Sequence, residues 1–186
     1  MRVSLNTVVP GIAFAVLVAV LPAPAPASSL PEYPVKAAFI LNFARYAEWP
    51  PDHRQARDRT LTLCIVGSDP FGASLAPIEG KNVGGRTLQV RRDVGIGKLK
   101  DCEIVFVTEA EERRLASILR AASDHAILTV SDIEGFAEAG GMIGLVTSDQ
   151  RVRFDINLNA LRSANLRLNA QVLRLARSLI GTRAAP

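Results

Sequence analysis

Apolar residues in this chain come in three patterns, and each pattern predicts a different element. The first is continuous: residues 8–21 form an apolar run of 14, holding Pro10 and Gly11 inside it. The second recurs at helical spacing. Val35, Ala38, Phe39, Phe43, Tyr46 and Trp49 fall at i, i+3 and i+4, with Lys36, Arg45 and Glu48 off that stripe, which predicts a helix over 34–49. Pro34 suits a first turn, where its missing N–H is no loss, and Pro50-Pro51 would stop the helix. The third pattern is the short apolar block bounded by turn residues: 61–66, 103–108 and 126–130 read as buried strands, and 86–91 as a half-exposed one.

Between these blocks lie a polar loop (51–60), a short helix from Asp69-Pro70 to Pro77, a turn over 81–85 and a charged helix over 111–122. A short helix or loop over 136–141 ends in Gly140-Gly141. Residues 142–146 and 152–157, joined through Ser148-Asp149-Gln150, predict an antiparallel hairpin. On the second of these strands Arg153 and Asp155 alternate with Val152, Phe154 and Ile156, placing both charges on a solvent face. A last helix begins after Asn169, a good N-cap, and runs to Ile180 and Gly181, with Val172, Leu173, Ala176 and Leu179 facing inward. Strands alternating with helices predict an α/β fold: one layered domain with a mixed, mostly parallel sheet, flanking helices and a C-terminal antiparallel hairpin plus helix. No internal repeat or linker divides it.

The first run changes the picture of where the protein works. Arg2 precedes it, and Ala25 and Ala27 follow with the small-residue spacing of a cleavage site, so residues 1–27 read as a signal peptide. About 20 apolar residues are needed to span hydrocarbon, which disfavours an uncleaved anchor. The expectation is export to a bacterial periplasm with no membrane insertion after cleavage, leaving a domain over 28–186. That length can bury a proper core. Residues 28–186 carry 21 Lys+Arg against 18 Asp+Glu, and the excess is local: 151–186 hold seven arginines against Asp155 alone. With no aromatic–basic interleaving, and in that compartment, nucleic acid is not expected as a partner. A basic face for an acidic protein surface fits better.

Two cysteines, Cys64 and Cys102, complete the composition. An even count in an exported chain points first to a disulfide; two buried thiols in apolar strands are the alternative. His53 and His125 have no acidic or thiol neighbours at ligand spacing, so no metal site is expected. Gly95-Ile96-Gly97-Lys98 lacks the rest of a phosphate-binding fingerprint, and no nucleophile elbow or zinc-protease motif is present. Nothing here points to catalysis. Two binding features remain. The aromatic stripe of Phe39, Phe43, Tyr46 and Trp49 reads as core or as a partner-binding face, and Arg174 and Arg177 of the basic segment are partner-binding candidates together with it. Ser68, Asp69 and Phe71 follow a predicted strand, where α/β folds place ligand loops, although an Asp-Pro turn explains them as well.

Several stretches taken in order resemble the YfiR-like family of periplasmic proteins (YfiR/HmsC-like). They are 33–50 (YPVKAAFILNFARYAEWP), 61–67 (LTLCIVG) with 69–72 (DPFG), 127–131 (ILTVS), 140–143 (GGMI) and 151–158 (RVRFDINL) with the leucine-rich end. The resemblance implies an exported α/β domain without catalytic residues or cofactor. It implies a repressor that binds the periplasmic sensor region of an inner-membrane diguanylate cyclase and lowers cyclic-di-GMP. Cys64 and Cys102 match family cysteine positions, which implies the bridge. A further cysteine pair found in some members near 140–145 is absent here, so the resemblance carries no redox switch. The competing expectation is a small-molecule sensor acting with a sensor kinase. A homodimer is a further expected state, and a secreted enzyme is disfavoured.

Overall fold

The computed structural model describes residues 31–50 and 59–181; the signal-peptide reading, His53 and most of the polar loop lie outside the described residues. Helix α1 (Glu32–Tyr46) leads into β1 (Ala47–Glu48), then β2 (Thr60–Val66), β3 (Asn82–Val83), β4 (Arg86–Arg91) and β5 (Ile104–Val107). They are followed by α2 (Leu115–Ser123), β6 (Leu128–Ser131), β7 (Ile143–Ser148), β8 (Arg151–Asn157), α3 (Leu158–Ser163), β9 (Arg167–Leu168), α4 (Ala170–Leu175) and β10 (Ser178–Ile180). Eight strands form one sheet in the order β10-β8-β7-β6-β5-β2-β4-β3. Neighbours from β7 to β4 are parallel, as are β10 and β8, whereas β8–β7 and β4–β3 are antiparallel. The mixed, mostly parallel α/β sheet is the one the alternation of elements predicts.

The continuous apolar blocks are the strands covered on both faces. Along β2, Leu61, Leu63 and Ile65 enter the larger core, under α1, α3 and α4. Cys64 and Val66 enter the smaller core, under α2. Ile104 and Phe106 of β5 divide from Val105 and Val107 in the same way. The two cores are stapled at the sheet: Cys64 on β2 is disulfide-bonded to Cys102 at the entrance to β5, with the Cα atoms 5.9 Å apart.

Five expectations are corrected. On α1 the buried residues are Lys36, Ala37, Ile40, Leu41, Phe43 and Ala44. The helix is apolar nearly all round, so its aliphatic side, shorter and flatter than the aromatic one, meets the sheet. Phe43 is buried with it, Phe39 and Tyr46 take the shoulder, and Ala38 is exposed. The helix also ends before Pro50, because Ala47–Glu48 pairs with β9. The short helix expected after Asp69 is a single 3-10 turn, Gly72–Leu75.

At the C-terminus the helix stops at Leu175, and Ser178–Ile180 joins β8 as a parallel edge strand. An open β8 edge offers backbone partners that outweigh helix propensity. Asp155 is buried rather than solvent-facing, because Arg177 on this added segment reaches it. Asn169 does cap α4, accepting from the Gln171 N–H. A second cap, Asn157, accepts from Asn159 and Ala160 and starts α3, which the hydrophobic pattern does not reveal.

Candidate functional site

Two arrangements stand out, one apolar and one charged. The apolar one is a groove of about 240 Å³ between α1 and α4, lined by Phe39, Asn42, Phe43, Tyr46, Phe154, Gln171, Val172 and Leu175. Its floor is a ring cluster. Phe39 and Phe43 stack at 5.9 Å, and Phe154 meets both edge-on at 5.4 and 5.0 Å. Offset-stacked and edge-to-face contacts at these separations are the favoured arrangements of packed rings. Its rim is Tyr46, 39% exposed, and Leu175, 74% exposed, the two large exposed hydrophobics of the described residues. Arg45 follows Asn42 by one turn of α1, and Arg174 precedes Leu175; both are exposed. The groove therefore offers an apolar strip, with exposed cations next to its rim residues in the chain and no nucleophile or acid–base pair among its lining residues.

The structure brings Phe39, Phe43 and Tyr46 of the predicted stripe together here. Trp49 is not among them: it is half-buried near Arg162 and Arg167, and its indole N–H has no partner among the described residues. Arg177 sits at the sheet edge with Asp155, which raises its pKa through their hydrogen bonds. Sequence reasoning passed over Leu175 because it falls off the inward stripe of its helix. An apolar residue off the stripe was the available signal.

The loop after β2 is differently placed. Asp69 Oδ1 accepts from the Phe71 N–H at 2.8 Å and Oδ2 from Arg92 Nε at 2.9 Å. Phe71 packs edge-on against Tyr33 and Phe106 in the core, leaving Ser68 as the exposed member. Gly67 ahead of it has φ +91, and a Cβ there would lie 2.3 Å from Thr108 Oγ1, so only glycine fits between these strand ends.

The charged arrangement centres on Lys36, 3% exposed. Its ammonium lies 2.6 Å from Asp132 Oδ2, beyond the end of β6, and 2.5 Å from Glu32 Oε1. Burial opposes the charged lysine, but the hydrogen bonds to Asp132 and Glu32 prevail and hold its pKa above 10.5. Glu32 is held below its ordinary 4.5 by Lys36 first and by the Thr147 hydroxyl, which donates at 2.8 Å, second. These contacts pin the first turn of α1 to the loop after β6 and to β7.

Residues 33–177 match the model of a protein family described as YfiR/HmsC-like. Among solved structures, the chain is similar to a conserved domain protein from Vibrio cholerae O1 biovar El Tor, with a TM-score of 0.53 at 10% identity over 80% of this chain. The match covers 60% of that protein, so the chain spans about three fifths of its length, and the likeness is one of fold. The chain is also similar to the ABC domain of a Streptococcus pneumoniae protein in complex with L-Trp, with a TM-score of 0.48 at 11% identity over 67% of this chain and 56% of that one.

Proposed function

This chain belongs to the YfiR/HmsC-like family of periplasmic, non-catalytic regulators of cyclic-di-GMP signalling, and from that membership we propose that it represses an inner-membrane diguanylate cyclase by binding the enzyme's periplasmic sensor region. The observation that carries the reading is the groove between α1 and α4. It exposes Leu175 and Tyr46 over a stacked aromatic floor, and the exposed Arg45 and Arg174 adjoin these two residues in the chain. An apolar centre with a charged rim is the composition of a protein-docking patch, whereas a catalytic cleft gathers titratable groups. Repression needs only that the protein bind the inactive conformation of the sensor more tightly than the active one. Cleavage after Ala27 would release the domain to reach that sensor; among the described residues no helix is long and apolar enough to cross a membrane.

Deleting the gene should raise cyclic-di-GMP and biofilm, and deleting the partner cyclase as well should cancel the rise. An unchanged level under every envelope stress would move the protein to the second reading, a small-molecule sensor acting with a kinase. That reading is supported by the place of Ser68 and Asp69 beyond the carboxyl end of β2, beside the point where the connections turn from β4 to β5.

A further inference from the structure

A cavity of about 560 Å³ lies between the first turn of α1, the loop after β6 and the exposed face of β7, apart from the docking groove. Its walls carry Glu32, Asp132, Glu134, Glu138 and Asp155 against only Lys36 and Arg177, a formal charge of −3. Both cations are already engaged, Lys36 by Glu32 and Asp132 and Arg177 by Asp155. Acceptors remain. Glu134 and Glu138 are exposed and form no ion pair among the described residues. Asp132 is nine-tenths buried, and its Oδ1 has no hydrogen-bond partner among the described residues. A buried carboxylate oxygen without a donor is a cost that an incoming N–H removes.

We propose that this cavity binds an organic diamine or polyamine. The charge selects a cation, because every base in the wall is committed and the open groups are all acceptors. The spacing selects an extended one. Among the described residues no three acidic, His or Cys side chains converge to hold a metal ion, so a compact divalent cation lacks its coordination set. Ammonium groups separated by methylenes match carboxylates distributed along a wall. The half-buried Val146 of β7 is the apolar part of the lining that solvent reaches, and it suits the methylene stem between them. The site is independent of the docking groove, so it stands or falls separately from the repressor reading.

The test is calorimetric titration of the full chain, disulfide intact, with spermidine and putrescine at fixed ionic strength. Saturable binding of one amine per chain is expected, tighter for spermidine. Replacing both exposed acids (Glu134→Gln with Glu138→Gln) should weaken it about tenfold, the sum of two lost exposed ion pairs. The melting temperature without amine should not change, which separates a lost site from a lost fold. Equal affinity in the double variant overturns the proposal. So does heat no larger than sodium chloride gives, or equal binding of Mg²⁺ or of zwitterionic glycine.

Discussion

Lys36 sits between apolar neighbours on α1 and is buried only because two carboxylates meet it there, one of them 96 positions away at Asp132. Substituting Lys36→Met keeps the aliphatic stem and removes the charge, leaving Asp132 uncompensated. Chemical denaturation at neutral pH should show a loss of about 3 kcal/mol. The pH dependence has a definite sign. The folded pKa of Lys36 is raised, so its contribution is whole below about 10.5 and is lost as pH climbs through the higher folded value. Wild type should therefore lose stability at strongly alkaline pH, and the methionine variant should show less of that loss. No local pattern in the sequence marks this lysine. Its burial depends on a partner that only the chain's path through β6 brings near.

At the scale of elements, α1 shows how far periodicity reaches. The helix and its aromatic run were legible because proline brackets them and the spacing is regular. Which side faces the sheet was not, since Ala37, Ile40, Leu41 and Ala44 make a second stripe of equal regularity. Within the aromatic run, burial divides the phenotypes. Phe43 is 1% exposed, so Phe43→Ala should cost about 3–5 kcal/mol in urea unfolding. Tyr46 is 39% exposed, so Tyr46→Ala should change stability by less than about 0.5 kcal/mol while weakening partner capture. The end of α4 illustrates the opposite limit. Residues 176–180 read as helix by pattern, yet Arg177 is drawn to Asp155 and its N–H to the Phe154 carbonyl, so the chain extends into β10. Tertiary pairing decides a short segment whose local preference is weak.

Across the whole molecule, the parallel centre was readable because strands buried on both faces must be apolar throughout. The disulfide was readable from an even cysteine count and an exported context. Its place between β2 and β5 crosslinks adjacent strands 38 positions apart. Reduction should lower the stability of the purified domain by about 4 kcal/mol in the chain-entropy model, measured as a shifted denaturation midpoint with and without reductant. The docking groove joins residues 39–46 to 154–175, two regions the sequence keeps far apart, which is why its aromatic half was nameable and Leu175 was not. If this groove delivers repression, a charge placed on its exposed apolar rim must release the cyclase. The direct measurement is intracellular cyclic-di-GMP in a deletion strain complemented with Leu175→Asp at wild-type abundance. Leu175 is 74% exposed, so the variant should fold, and cyclic-di-GMP should stay at the deletion level. A return to the wild-type level would contradict it.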